Sequence, residues 1–299
     1  LYTRPAGPLD GAAQLHEFGS LGLGERLGRK EIEGLAASGQ RGIGHRLEAY
    51  DPIVDQLAEK FDVIAVDMPG FGRSPGFAKP TDYGIQALAA AIAENFKVWG
   101  IEKPHIVGNS LGGAVSVVLG QKDQVRSVTA LSPAGWFFPW SLLLSGIPLL
   151  LMKLGSFAPQ PVLRAFSRSK IGRRLMGFPL YKYPLRHSPE DSFGDAIAMR
   201  NAAGFWPMFA ACVPLGIRVP AIFRGPARVP TTIAWGDHDR LLSPNQASIA
   251  ARSMSGVNFV LLNDAGHVPM ADNPDEVIAA ILVTAALAQA PQSASGHAA

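Results

Sequence analysis

The sequence predicts an α/β protein in which a mostly parallel central sheet carries helices on both faces and a mainly helical cap is inserted into the chain. From Tyr50 onward, short runs typical of buried strands alternate with longer segments of helical periodicity, which is the pattern of a parallel sheet wrapped by helices. The alternation stops between Pro133 and Pro230, where Pro, Gly, Trp and Phe are frequent, and it resumes afterwards. The 299 residues, 47% of them hydrophobic, are enough for a large core.

Each element follows from a local signal. Asp51 is expected to cap a helix that has Pro52 in its first turn. A second helix is expected to start at Thr81 or Asp82 and to end at Gly100, with its apolar residues on one stripe. The remaining predicted elements are strands at residues 61–66, 105–107, 128–131, 231–235 and 259–262, and helices at 111–119 and 275–287.

The same patterns divide the chain into segments. Residues 35–40 lack the β-branched side chains typical of a central strand, so the stretch before Arg41 does not suit one. The last residues are small and polar without periodicity, which indicates disorder. The predicted segments are an atypical N-terminal part (1–41), the first part of the core (42–134), the cap (135–229), the second part of the core (230–287) and a disordered tail (288–299).

Composition excludes several classes of protein. Lys and Arg total 27 against 24 acidic residues, and no basic cluster large enough for a nucleic-acid surface stands out. The single cysteine, Cys212, cannot form an internal disulfide, so a reducing, cytoplasmic compartment is expected. Residues 1–20 hold no apolar run typical of a signal peptide, and the longest apolar stretch, 136–152, is too short and too interrupted to span a bilayer.

The strongest chemical signal is Gly108-Asn109-Ser110-Leu111-Gly112, a G-x-S-x-G motif directly after a predicted strand and before a predicted helix. A serine hydroxyl becomes a useful nucleophile only with a base in reach and on a turn that projects its oxygen. Flanking glycines permit that turn. The motif therefore predicts a nucleophile at Ser110, and the alternative is an ordinary glycine-rich turn.

Candidate partners for the serine follow two later strands. Asp237 and Asp239 come after the strand that ends at Trp235, and His267 comes after the strand that ends at Leu262. Either aspartate could orient the histidine. His238 lies between the two aspartates, but no matching His/Cys cluster accompanies it, so neither a metal site nor a cofactor is predicted.

Over residues 50–287 these motifs resemble the α/β-hydrolase superfamily. Asp67-Met68-Pro69-Gly70-Phe71-Gly72-Arg73-Ser74 is similar to the family's turn after the fourth strand, Trp235-Gly236-Asp237-His238-Asp239 to its acid loop, and Gly266-His267-Val268-Pro269 to its histidine loop. The resemblance implies that Ser110 is the nucleophile, His267 the base and Asp239 the acid, with Asp237 as the runner-up.

The resemblance also implies an oxyanion hole. One donor would be the backbone N–H of Leu111, at the start of a helix. The other would be that of Ile43, because Arg41-Gly42-Ile43-Gly44 stands where the family has a His-Gly pair. The sequence before Gly42 departs from the family pattern, through either an upstream reading-frame error or genuine divergence.

The predicted enzyme is a serine hydrolase that cleaves a carboxylic ester of a small, largely apolar substrate through an acyl-enzyme. A carbon–carbon bond hydrolase of ring-cleavage products and a non-catalytic ligand binder are the alternatives. Asn109, Trp136 and Phe137 are the predicted substrate-binding residues. A membrane-surface lipase is less favoured, and the oligomeric state is left open. A basic set in the cap is expected to be mainly a solvated face, with a carboxylate or a lipid headgroup as alternative partner: Lys170, Arg173, Arg174, Lys182 and Arg186.

Overall fold

A seven-stranded sheet forms the centre of the molecule. The structure, a computed structural model, describes residues 2–4, 34–38, 47–79, 83–137, 140–216 and 219–289. The strand order is β1-β3-β2-β4-β5-β6-β7, in which β1 is antiparallel to β3 and every other pair is parallel. The strands are β1 (Tyr2–Arg4), β2 (Gly34–Ser38), β3 (Asp62–Ala65), β4 (His105–Asn109), β5 (Ser127–Leu131), β6 (Gly225–Gly236) and β7 (Met254–Leu262).

Helices connect the parallel strands. Their bounds are α1 (Asp51–Ala58), α2 (Ile85–Trp99), α3 (Leu111–Gln121), α4 (Ser141–Gly155), α5 (Gln160–Arg168), α6 (Lys170–Gly177), α7 (Pro189–Asn201), α8 (Phe205–Cys212), α9 (Asn245–Ser253), α10 (Pro269–Asp272) and α11 (Pro274–Gln289). Helices α4 to α8 lie between β5 and β6 in the chain and make up the cap. The mostly parallel sheet and the helical cap confirm the predicted fold class.

Both faces of the sheet are covered. Successive strand residues point to opposite faces, so Ile106 and Ala130 join one buried cluster while Val107 and Leu131 join the other. Helices α2 and α3 pack together over the first face, and α1 and α11 pack together over the second. The carboxyl ends of the central strands consequently stay open to the cap, which is where ligands bind in sheets of this kind.

The structure differs from the sequence prediction at several elements, including β7, which begins at Met254, five residues before the predicted start. Gly34–Ser38 forms β2 between β3 and β4 although its sequence does not suit a central strand. Strand propensity depends on context, and here two neighbouring parallel strands supply backbone partners on both sides. Helix α2 begins at Ile85 because the chain is still extended at Gly84, whose φ is 167°. Strand β6 begins at Gly225, six residues before the predicted Thr231.

Helix α4 is attached to the rest of the cap by a buried lysine. The Nζ atom of Lys153 donates hydrogen bonds to the carbonyls of Met199 (2.7 Å) and Arg200 (3.0 Å) at the end of α7. Helix C-termini attract cations, and burial lowers the pKa of Lys153. Among the described residues, no helix is long and apolar enough to cross a membrane.

Candidate active site

Ser110 occupies a strained turn between β4 and α3. Its backbone has φ 56° and ψ −117°, in the left-handed half of conformational space that residues other than glycine rarely adopt. The turn also brings Gly108 against the carbonyl of Gly112, where a Cβ atom would clash. Glycine at 108 is therefore required for this close approach, and the sharp turn carries the Ser110 side chain at the carboxyl end of β4.

His267 and Asp239 form a buried pair. Nδ1 of His267 lies 2.8 Å from Oδ2 of Asp239, and both side chains are almost fully buried. The other oxygen of Asp239 accepts the backbone N–H groups of Leu241 (2.9 Å) and Leu242 (2.7 Å), which fix the carboxylate. A carboxylate at Nδ1 places the ring proton there and leaves Nε2 as a hydrogen-bond acceptor. Within the described part of the chain, Nε2 has no partner.

Asp237, the runner-up acid, has different contacts. Its Oδ1 lies 2.6 Å from Nδ1 of His238 and accepts the backbone N–H of Ala265 at 3.0 Å. Burial raises the pKa of Asp237, but the hydrogen bonds from His238 and from the backbone of Ala265 and Asp264 outweigh burial and hold that pKa below its usual value. Of the two aspartates, the structure pairs only Asp239 with His267.

The acid loop and the histidine loop approach closely at Gly236. A Cβ atom at Gly236 would clash with the carbonyl oxygens of Ala265 and Gly266. The backbone N–H of His238 donates to the Ala265 carbonyl at 2.9 Å. Because only a residue without a Cβ fits here, the glycine permits the acid loop to lie beside the histidine.

Asn109 connects the nucleophile turn to the histidine loop. Its buried side-chain amide donates to the carbonyls of Leu131 (3.0 Å) and His267 (2.8 Å). The Nδ2 group is committed to the protein backbone, and Asn109 does not line the cavity beside Ser110, so its contact with substrate stays a prediction.

Asp272 is a site residue that the sequence analysis missed. Its buried carboxylate accepts three backbone N–H groups, from Gly266 (2.8 Å) on the histidine loop and from Lys182 (2.8 Å) and Tyr183 (3.0 Å) in the cap. The only sequence signal is an acidic residue five positions after the histidine, and the partners in the cap could not be inferred from it.

A small apolar cavity opens beside Ser110. It measures about 70 Å³, and α4 contributes Ser145, Gly146 and Leu149 to its wall. Phe137 lines it, whereas Trp136 does not. Trp136 is fully buried and stacks on Phe223 with ring centroids 4.8 Å apart, so its predicted place against a substrate is replaced by one in the core. The remaining lining residues are Leu111, Ala134, Phe209, Cys212, Val213, Leu241 and Leu242.

Only one of the two predicted oxyanion donors lies within the described residues. The N–H of Leu111 lies in the first turn of α3, where N–H groups have no acceptor within the helix and attract negative charge. Ile43 lies outside the described residues. Among the described residues, no group of three or more His, Cys, Asp or Glu side chains is placed to hold a metal ion.

We compared the sequence with models of protein families, and the result agrees with the strained serine turn and the histidine–aspartate pair. Residues 34–274 match the model of the alpha/beta hydrolase fold. The chain belongs to this family. It is an α/β-hydrolase enzyme, as the motif resemblance implied.

Individual relatives of this α/β hydrolase are distant. Lipase 3 of Moraxella sp. (strain TA144) is 26% identical over 236 residues, which are 77% of this chain and 71% of that protein. A pimeloyl-(acyl-carrier protein) methyl ester esterase of Neisseria meningitidis is 29% identical over 246 residues, 76% of this chain and 84% of the relative. The crystal structure of an enol-lactonase from Burkholderia xenovorans superposes with a TM-score of 0.65 at 18% identity, covering 87% of this chain and 93% of that one.

Proposed function

We propose that this α/β hydrolase cleaves carboxylic esters with a short, apolar acyl group through an acyl-enzyme at Ser110. The observation that carries the proposal is the buried His267–Asp239 pair, whose acceptor Nε2 is unpaired within the described residues, at the same sheet edge as the strained Ser110 turn. Distant relatives named as a lipase and a methyl ester esterase support the ester class.

The proposed reaction has two steps. In the first, Nε2 of His267 takes the hydroxyl proton of Ser110 while Oγ attacks the ester carbonyl, and the imidazolium then gives that proton to the departing alkoxide. In the second, His267 takes a proton from water, the resulting hydroxide attacks the acyl-enzyme, and the acid leaves as the proton returns to Ser110 Oγ. Asp239 holds the imidazole in the required tautomer throughout and stabilises its positive charge.

Negative charge develops on the carbonyl oxygen in both steps. The N–H of Leu111 at the start of α3 is the donor that the described residues offer, and one such donor contributes about 3 kcal/mol to transition-state stabilisation in related enzymes. A cavity of about 70 Å³ with an almost entirely apolar wall suits a short acyl chain better than a long or charged one.

Labelling with a fluorophosphonate tests the proposal directly. The reagent modifies a serine only when a neighbouring base activates it, so we expect one label per chain, located at Ser110 by peptide mass spectrometry. Ser110→Ala should abolish labelling and hydrolysis of p-nitrophenyl acetate. The matched control is Ser248→Ala, at an exposed serine on α9.

Circular dichroism establishes that each variant is folded. A folded wild-type chain that is not labelled would identify a ligand binder and overturn the proposal. Equal labelling of the wild type and Ser110→Ala would also overturn it, because the reactive group would then lie elsewhere.

A further inference from the structure

One side of the cap exposes many large apolar side chains. Eighteen large hydrophobic residues of the described chain are exposed, and twelve of them lie between residues 140 and 178. A surface of this kind marks an interaction site, because isolated proteins rarely expose so much contiguous apolar area. The twelve are Trp140, Leu143, Leu144, Ile147, Leu151, Leu154, Phe157, Val162, Phe166, Ile171, Leu175 and Phe178.

Several of these side chains lie on the same face of the cap. On α4, the exposed Leu143, Ile147, Leu151 and Leu154 are spaced by four, four and three positions, which is one stripe of a helix. Leu151 shares the wall of a cavity of about 490 Å³ with exposed residues of α5 and α6. The stripe on α4 therefore continues onto α5 and α6, and we call the whole surface the cap face.

The cap face is basic. Its helices α5 and α6 carry five Lys or Arg residues and no Asp or Glu. Arg168, Lys170 and Arg174 are exposed on α5 and α6, and no described carboxylate pairs with any of the three. They lie beside the exposed Ile171 and Leu175, so cationic and apolar side chains alternate along the same two helices.

We propose that the cap face docks on an anionic lipid surface. Short amphipathic helices with Lys and Arg beside exposed apolar side chains bind the boundary between headgroups and acyl chains, where the charges meet lipid phosphates. Long basic side chains can extend their charged ends to the headgroups while their aliphatic parts stay in apolar contact.

Charge also argues against a second copy of this chain as the occupant. A symmetric dimer through the cap face would place the same basic surface opposite itself, and like charges across an interface are unfavourable. An anionic bilayer offers an apolar interior for the exposed hydrophobic side chains and negative charge for the basic ones.

Vesicle flotation with the full chain tests the proposal. The vesicles are made of ether-linked lipids, either phosphatidylcholine alone or phosphatidylcholine mixed with phosphatidylglycerol, so ester hydrolysis plays no part in the readout. We expect strong partitioning onto the mixed vesicles, little onto phosphatidylcholine alone, and release at high salt. Equal binding to both vesicles, or to neither, would overturn the proposal.

A triple variant locates the binding surface. Arg168→Gln, Lys170→Gln and Arg174→Gln remove three charges that have no carboxylate partner in the described part of the chain, and we expect partitioning at low salt to fall on the order of 100-fold. Arg173 is kept because its guanidinium donates to the carbonyls of Ser167 and Arg168 and holds the turn between the helices.

The control variant removes the same number of positive charges from the surface outside the cap. Lys60→Gln, Lys97→Gln and Arg252→Gln change three exposed side chains and should leave vesicle binding within about twofold, because these charges lie off the docking surface. Equal losses in the two triple variants would show that only net charge matters and would overturn the proposal. A third result would also overturn it: the wild type does not bind vesicles and is a dimer in sedimentation analysis, whereas the cap variant is a monomer.

The experiments distinguish a failure of the docking proposal from a failure of the proposed function. Fluorophosphonate labelling at Ser110 should be unchanged in the cap variant, since its three positions do not line the cavity beside Ser110. Labelling without vesicle binding would leave the esterase proposal standing and reject the docking surface.

Discussion

Asp237 and Asp239 lie two positions apart on one loop but have different partners. Asp239 is buried against His267 and the backbone N–H groups of Leu241 and Leu242, whereas Asp237 contacts His238. The sequence left both aspartates open, because spacing on a loop does not determine which carboxylate turns inward. At the scale of single residues, the contacts of the two carboxylates support Asp239 as the acid of the proposed mechanism.

Replacing each aspartate by asparagine separates these roles. Asp239→Asn should lower kcat on the order of 10⁴-fold, since the amide favours the wrong imidazole tautomer, as in other triads. Asp237→Asn is the matched control and should change kcat less than about tenfold. Steady-state hydrolysis of p-nitrophenyl acetate measures both, and a reversed order of the two effects would assign the acid to Asp237.

Cys212 gives a pH-dependent prediction at the wall of the same cavity. Burial raises the pKa of its thiol to about 12. Because the thiolate is the reactive form, iodoacetamide should modify the folded protein at pH 8 about 1000-fold more slowly than an unperturbed thiol. The rate should rise about tenfold per pH unit until the pKa is reached.

Mass spectrometry of the intact chain measures this rate, and Cys212 is the only cysteine, so one adduct is one event. The urea-unfolded chain is the control and should react at the ordinary rate. Fast modification of the folded chain at pH 8 would show that the thiol is neither buried nor protonated.

At the scale of elements, the sequence predicted helices and turns that depend on neighbouring residues. It did not predict elements and contacts that depend on residues distant in the chain. The helix that begins at Asp51 and the strand–turn–helix at Ser110 follow from Pro52 in the first helical turn, from glycine and from periodicity, although Asp51 itself is not the cap. Strand β2 does not, because neighbours distant in sequence supply its pairing. The same reason hid the backbone contact from Asn109 to His267, which joins residues 158 positions apart.

The Asn109 contact predicts a positioning role. Asn109→Ala removes the amide donor to the His267 carbonyl and one of two donors to the Leu131 carbonyl, which also accepts the N–H of Ser110. We expect this loss to cost about 1–3 kcal/mol of unfolding free energy. It should also lower kcat more than it raises KM, because His267 loses its support while the cavity wall is unchanged.

Urea unfolding and ester kinetics test the two parts of this expectation. Asn95→Ala is the control, since Asn95 also donates its side-chain amide to a backbone carbonyl, that of Ala91 at 3.0 Å, but on α2. A loss of stability with unchanged kcat would show that the contact is structural only.

At the scale of the whole molecule, α4 separates two cavities of different size. Leu149 faces the cavity of about 70 Å³ beside Ser110, whereas Leu151 faces the cavity of about 490 Å³ on the cap face. The sequence predicted an apolar cap but not this division, because the uniformly apolar run of α4 does not indicate which side faces the serine.

Two substitutions on α4 test the division. Leu149→Ala should enlarge the cavity beside Ser110 and raise kcat/KM for an octanoyl ester relative to an acetyl ester roughly tenfold. Leu151→Ala makes the same chemical change on the other side of the helix and should leave that ratio near the wild-type value. The same ratio in both variants would mean that acyl groups do not occupy the smaller cavity.

The three hydrogen bonds to Asp272 join the segment between α6 and α7 of the cap to the histidine loop. A ligand that displaces residues 182–183 must therefore disturb the backbone of the histidine loop next to His267. Its binding and the position of His267 then share a coupling free energy, which is reciprocal. An apolar inhibitor that displaces residues 182–183 without changing the rate of fluorophosphonate labelling at Ser110 would show that the two segments move independently. A changed labelling rate means that the proposed base senses whether the space under the cap is filled.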